Sequence, residues 1–195
     1  MTLNIFKNIY LIDYIFLSMP KIIYFIKKNE NFFFLEINKF SILIISYYLF
    51  YCFNIKAKQL IDLTSVDYIL NKKRFNLIYN FLSNKLNLRY IVSFFIEEIE
   101  NVNSLIYIYP NISWYEREVW DLFGIFFLNN KFLKKILLDY GFLGHPLRKD
   151  FPLTGYIELV HSVILNSILL KKLNLTQHFR VYDTESVWFS SNKII

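Results

Sequence analysis

The chain of 195 residues has one cysteine, one alanine, four glycines and four prolines. With Cys52 alone, no disulfide can close within the chain. A thiolate-bound iron–sulfur cluster, which draws on several cysteines, is excluded as well. Cys52 lies in an apolar run and reads as an inert buried residue. No two of the three histidines stand at helical ligand spacing, so the familiar zinc motifs are absent. There is no P-loop and no dinucleotide fingerprint. Gly141-Phe142-Leu143-Gly144 has neither the spacing nor the following lysine. No run of five basic residues occurs, although the formal net charge is +6, so a solvating spread of lysines outweighs a dedicated basic face. Nucleic-acid binding is weaker still, because the aromatics follow core periodicity and do not interleave with a basic stripe.

Long apolar runs are also missing. The most apolar stretch, Phe40–Phe53, is 14 residues long, against the ~20 that a membrane-spanning helix requires. Ile5–Met19 is broken by Lys7, Asn8 and Asp13. No small-residue cleavage site follows the first apolar stretch, so a signal peptide is not expected. That absence fits a protein made in the compartment where it works. The near-absence of alanine beside abundant Phe, Tyr, Lys and Asn points to an AT-rich coding genome, of the kind organelles carry.

What is present is mostly core material: 55% of residues are hydrophobic and 20% aromatic, ample for one domain of this length. Residues 3–17 are an apolar segment of undetermined form. Met19–Lys28 is expected to be helical, with Pro20 in the first turn and Lys27 and Lys28 at the C-terminal end. Asn31–Ile37 and Gln59–Ser65 read as strands. Ser41–Phe53 is long enough to favour a helix, with Ser41 as N-cap. Asp67–Arg74 is a polar connection. Phe75–Ser83 and Arg89–Glu97 place Phe75, Leu77, Tyr79, Phe81 and Tyr90, Val92, Phe94, Ile96 at period two, and the Asn84–Asn87 linker makes them an antiparallel pair. Asn101–Tyr109 reads as a short helix stopped by Pro110. Beyond Pro152 turn signals are few, and Thr176–Tyr182 reads as an extended tail.

The vocabulary changes between Trp114 and Leu153. All four glycines fall between Gly124 and Gly155, together with two of the prolines and, nearby, two of the three tryptophans. Ser113-Trp114-Tyr115-Glu116 has capping-box form, in which the Ser113 hydroxyl and the Glu116 carboxylate exchange bonds with each other's N–H groups. Gly124 suits a left-handed helix end. Trp114–Phe123 is therefore a bounded helix, on which Arg117 and Asp121 stand four apart as a potential pair. Charges and aromatics decorate every side of it, as expected of a helix clamped between surfaces. Pro146 and Pro152 hold His145 and Phe151 extended, and Gly141 and Gly144 permit close packing or left-handed backbone. The outcome is a stiff loop presenting Arg148, Lys149 and Asp150.

Glu116, Glu118, Asp121, Asp139, His145 and Asp150 can be read as a metal or acid–base cluster of a stand-alone enzyme. Each acid, however, has a Lys or Arg within four residues, which favours an ion-pair network. A third reading is a membrane-surface protein using its basic charge and aromatics.

The string Trp114–Gly124, with Asp139-Tyr140-Gly141-Phe142, Gly144–Leu153, Gly155-Tyr156 and Glu158, closely resembles the signature of the NADH dehydrogenase subunit nine family. That family is the mitochondrial counterpart of the bacterial C subunit of proton-pumping NADH:quinone oxidoreductase, respiratory complex I. Upstream, Gln59–Thr64, Val66–Tyr68 and Arg74–Ser83 resemble the family's strands. Downstream, Gln177, Phe179, Arg180 and Trp188 resemble its tail. The likeness covers roughly residues 30–190. Where the family has His-Pro-Asp after the helix, this chain has Asn130-Lys131-Phe132, so no contact is carried over at those positions. Residues 1–30 and Ile164–Leu175 also match poorly.

The resemblance implies an α+β fold: a small mixed β-sheet with packed helices and an extended C-terminal tail. The divisions it suggests are a variable segment 1–30, the family domain 31–155 and a C-terminal arm 156–195. It implies a structural subunit of the peripheral arm, on the matrix side of the mitochondrial inner membrane. Such a subunit packs on the large quinone-site subunit and neighbouring iron–sulfur subunits. FMN and iron–sulfur clusters would be held by neighbours and none by this chain, which would meet the membrane only through the complex and no nucleic acid at all. Trp114, Glu116, Arg117, Glu118, Trp120, Asp121 and Gly124 would form one half of a rigid interface. Asp139, Gly144, His145, Pro146, Arg148, Lys149, Asp150, Phe151 and Pro152 would form the other.

Overall fold

The computed structural model describes residues 14–15, 17–28 and 32–182. Most of the apolar segment at 3–17 lies outside the described residues, as does Trp188. The chain divides into two units, residues 1–153 and 154–195.

The first unit is built on a five-stranded mixed sheet. Its strands are β1 (Ile23–Lys28), β2 (Phe32–Ile37), β3 (Gln59–Asp67), β4 (Phe75–Ser83) and β5 (Leu88–Ile96), in the spatial order β1-β2-β5-β4-β3. The β4–β5 hairpin is the centre. Its register sets Leu77 opposite Phe94, Tyr79 opposite Val92 and Phe81 opposite Tyr90, and these side chains are buried. The alternate positions Ile78, Asn80, Leu82, Ile91 and Phe95 are only partly buried, as a pleated strand with one face on the core requires. β2 joins β5 in parallel, with Phe33 beside Tyr90 and Leu35 beside Val92, which makes the sheet mixed.

Helix α1 (Ile42–Tyr51) forms the crossover from β2 to β3 and buries Ile42, Ile45 and Leu49. Helix α2 (Ile112–Phe123) buries Ile112, Val119 and Phe123. Both contribute to the same apolar cluster as the inner face of β4–β5. Tyr109 links the layers: its ring lies 5.4 Å from Phe50 and 5.2 Å from Phe81, and its hydroxyl donates to the Ala57 carbonyl at 2.7 Å. Two short strands, β6 (Val102–Asn103) and β7 (Phe127–Leu128), flank α2 in sequence and pair in parallel. No described helix is long and apolar enough to cross a membrane.

Several expectations from sequence need correction. Met19–Lys28 is a turn followed by β1, with no helix. Its Ile- and aromatic-rich run satisfies its backbone against β2, pairing Lys27 with Phe34 and Lys28 with Phe33, and the β-branched content favours that outcome. Asn101–Tyr109 is likewise not a helix. Val102 and Asn103 pair with β7, and the next residues form a turn closed by Tyr109 N–H on Leu105 O at 2.9 Å. Ser41 stands just before α1 but makes no side-chain cap; the Asn38 side chain instead accepts from Phe40 N–H. Cys52 is partly exposed.

The second unit contains an antiparallel hairpin, β8 (Ile157–Ser162) and β9 (Ser167–Lys172), where an extended arm was expected. Leu159 faces Leu170, Val160 faces Leu169, and Glu158 stands opposite Lys171. Asn166 takes φ 46° in the turn, a conformation Asn tolerates better than most residues.

The core gives a direct test of which hydroxyls matter. Tyr79 is fully buried with no partner for its hydroxyl among the described residues, whereas the Tyr109 hydroxyl is paired. Tyr79→Phe is expected to be neutral or stabilising. Tyr109→Phe should cost about 1–3 kcal/mol, since it orphans a buried carbonyl. Urea denaturation midpoints of the two variants check this.

Candidate functional site

The Trp114–Gly124 helix and the Gly144–Leu153 loop are one structure, and the reason lies at the helix end. An α-helix leaves its last four carbonyls without intrahelical donors. In α2 each of these finds a donor. Gly124 N–H donates to Trp120 O at 2.9 Å and Leu147 N–H to Leu122 O at 3.2 Å. Arg148 Nε donates to Phe123 O at 2.7 Å. His145 Nδ1 lies 2.9 Å from Asp121 O; a carbonyl only accepts, so this contact fixes the tautomer that carries its proton on Nδ1. Three of the four donors come from residues 145–148.

Gly124 makes this closure possible in two ways. Its φ is 79°, left-handed as expected. A Cβ there would lie 2.6 Å from the His145 ring and 2.7 Å from Arg148 Nη2. Gly144 is similar, with φ 106° and a notional Cβ 2.8 Å from the Phe151 ring. Phe151 in turn packs on Phe142, with centroids 5.9 Å apart.

Two acids of α2, Glu116 and Asp121, are buried without ion-pair partners at hydrogen-bonding distance among the described residues. Glu116 is fully buried and accepts from Ser104 Oγ at 2.7 Å, Leu105 N–H at 3.0 Å and Asn130 Nδ2 at 2.8 Å. This replaces the expected capping box: Ser113 makes no cap, Asn111 precedes the helix, and Glu116 faces inward. Burial pushes the Glu116 carboxyl up from its ordinary value, and the three donors oppose that shift. Asp121 does not pair with Arg117. Its Oδ2 accepts from the N–H groups of Ile136, Leu137 and Leu138 at 3.2, 3.1 and 3.0 Å, with Lys135 Nζ at 4.0 Å from Oδ1. Arg117 donates to the carbonyls of Lys134 and Lys135 and lies over the exposed Trp114 ring. Glu118 and Trp120 are half-buried on the same helix. Asp139 is exposed and accepts from Tyr140 N–H.

The loop's charges are held by three residues that sequence reasoning passed over: Asp67, Arg74 and Glu98. Arg74 grips Asp67 through two bonds of 2.7 and 2.9 Å, and reaches Asp150 at 2.9 Å and Glu98 at 3.3 Å. Arg148 reaches Glu98 at 2.5 Å. Lys149 contributes its backbone N–H, which donates to Asp67 Oδ2 at 2.9 Å. The guanidiniums of Arg74 and Arg148 both lie over the Phe75 ring, at 5.2 and 5.3 Å from its centroid. The Arg74 guanidinium and the Lys149 N–H hold the Asp67 carboxyl below its ordinary value, and Arg74 does the same to Asp150. The available signal was the pair of opposite charges at the two ends of the Asp67–Arg74 connection, which Tyr68 N–H closes on Arg74 O at 2.8 Å. Among the described residues no three His, Cys, Asp or Glu side chains converge as a metal site.

A model of the respiratory-chain NADH dehydrogenase 30 Kd subunit family matches residues 37–157. The chain belongs to that family. The 30 Kd family match thus spans strands β3, β4 and β5, both helices and the Arg74-braced loop. NADH dehydrogenase (ubiquinone) iron-sulfur protein 3 of Oryza sativa subsp. japonica is 43% identical over 133 residues, 68% of this chain and 70% of that protein. The protein of the same name from Arabidopsis thaliana has the same identity and coverage. NADH-ubiquinone oxidoreductase subunit 9 of Reclinomonas americana is 44% identical over 69% of this chain and 66% of its own length. Among solved structures, a chain of an archaeal respiratory membrane complex, the membrane-bound sulfane sulfur reductase, overlays with a TM-score of 0.63 at 22% identity. The overlay covers 75% of this chain and 86% of that one, and it shows a shared fold.

Two predictions follow from this geometry. Gly124→Ala forces an L-residue into a left-handed conformation, at about 1–2 kcal/mol, and drives its Cβ into His145. A denaturant midpoint shift larger than that strain alone is expected. For Asp67→Asn the sign is set by the lowered folded-state pKa. Stability from this group is present above its ordinary pKa and lost as pH falls through the folded value. The variant should therefore be less stable than the parent at pH 7, and the gap should close as pH falls below the ordinary carboxylate range, as paired denaturation series would show.

Proposed function

We propose that the chain is a non-catalytic structural subunit of the peripheral, matrix-side arm of mitochondrial complex I. In this reading it docks on the large quinone-site subunit and neighbouring iron–sulfur subunits. FMN and the iron–sulfur clusters belong to those neighbours, and the membrane is reached only through the assembly. The family domain 31–155 docks, 156–195 extends the contact, and 1–30 is specific to the lineage. The AT-biased vocabulary supports an organelle-encoded chain.

One observation carries the proposal. The charged side chains of the helix and loop are largely engaged within the chain, while Trp114, Tyr140, Leu143 and Leu153 on the same segments are 63, 93, 72 and 76% exposed. A catalytic acid or base must be free to meet substrate. Here Glu116 and Asp121 are committed to fixed donors. The charges fix a shape, and the apolar side chains standing out from it are available for association.

Assembly measurements test this. Arg148 is 18% exposed and is the donor to Phe123 O, besides pairing with the half-exposed Glu98, so Arg148→Ala should cost about 1–3 kcal/mol and deplete the assembled complex. Asp150 is 55% exposed, so Asp150→Ala should cost less than about 1 kcal/mol and leave assembly nearly intact. On native gels, turnover per assembled complex should be unchanged in both variants. Normal assembly with slowed turnover would place chemistry in this chain and overturn the proposal.

A further inference from the structure

Beside α2 a small cavity of about 190 Å³ is lined by Ile106, Tyr107, Asn129, Lys131 and Phe132. It is below the roughly 300 Å³ where small-molecule sites begin, and is sized for a single side chain. Its two walls are tied together from beneath. The Glu116 carboxylate holds Ser104 and Leu105 on one side and Asn130 on the other, so the cleft is part of the folded chain. Of its lining, Tyr107 is 74% and Phe132 63% exposed.

The two wall segments themselves carry charge of one sign, the buried Glu116 carboxylate lying beneath them. Residues 101–115 and 122–138, which supply both walls, contain no Asp or Glu. They carry Lys131, Lys134 and Lys135. Lys135 is engaged with Phe142 O and approaches Asp121, whereas Lys131 and Lys134 are exposed and form no ion pair among the described residues.

We propose that this cleft is a docking site for an acidic segment of another complex I subunit, which seats one apolar side chain between Tyr107 and Phe132 and pairs its carboxylates with Lys131 and Lys134. The inference rests on the subunit reading above. Rim charges of this kind act chiefly on specificity and association.

The test uses the intact complex purified from membranes. A carbodiimide joins lysine amines only to carboxylates already in contact, forming an amide. Mass spectrometry is expected to find Lys131 or Lys134 joined to an Asp or Glu of a different chain, in a sequence with an apolar residue close by. Amine labelling of both lysines should be lost in the complex and regained on denaturation. A Lys131→Glu/Lys134→Glu variant, altered only at exposed positions, should dissociate from the complex at lower salt than the parent. Crosslinks confined to this chain's own carboxylates, or equal labelling in complex and denatured chain, overturn the docking site and leave the subunit reading standing. A chain that does not co-migrate with NADH dehydrogenase activity overturns both.

Discussion

The end of α2 is the constraint from which the candidate site follows. Four carbonyls with no intrahelical partner cannot be left dry inside a protein, and here the chain answers with a loop twenty residues downstream in place of water. His145, Leu147 and Arg148 supply the donors, and Gly124 is the bare backbone that lets them approach. Helix and loop therefore require each other. Without the loop the helix end is unsatisfied; without the helix end the loop loses the anchors that give it one shape. The second anchor is the Asp67–Arg74 pair. One carboxylate binds the guanidinium through both oxygens and also takes the Lys149 N–H, so the loop cannot lift without breaking a buried charge contact.

The buried acids show a second use of charge. Glu116 and Asp121 sit inside the fold with neutral donors in place of a bonded cation. Each satisfies backbone N–H groups of irregular segments: Leu105 for Glu116, and Ile136, Leu137 and Leu138 for Asp121. Those segments have no ladder partners at these groups, and a buried amide without an acceptor is costly. A helical carboxylate thus stands in for the missing strand. This explains why acids are found on the inward side of a helix, where amphipathic reasoning would put Leu or Val.

The same physics separates what was legible in the sequence from what was not. The β4–β5 hairpin could be read because period-two burial acts on adjacent residues, and Phe75–Ser83 matched residue for residue. Gly124 could be read because a helix end is a local event. Met19–Lys28 misled, since a short run of Ile, Phe and Tyr is apolar at both periods and only the pairing with β2 decides. The Ser113–Glu116 spacing misled for a related reason: a capping box is a local use of Glu116, and three donors from distant segments outcompeted it. Arg117 and Asp121 likewise stand four apart, yet each found backbone partners around residues 134–138. Asp67, Arg74 and Glu98 were invisible as a site because their meeting with Asp150 and Arg148 spans the whole domain.

Satisfying charge internally has a consequence for association. Polar side chains that are already bonded cannot direct a partner strongly, since a new bond would have to break an old one. Apolar side chains carry no such prior commitment. A surface with Trp114, Tyr140 and Leu143 exposed on a backbone fixed by Arg74, Glu116 and Asp121 therefore presents area in a set shape, and a preshaped surface loses little conformational entropy on association. The lysines at Lys131 and Lys134 are exposed and form no ion pair among the described residues. Where internal satisfaction is the rule, an unpaired pair of cations beside an apolar cleft marks the place where the partner's own charge is required.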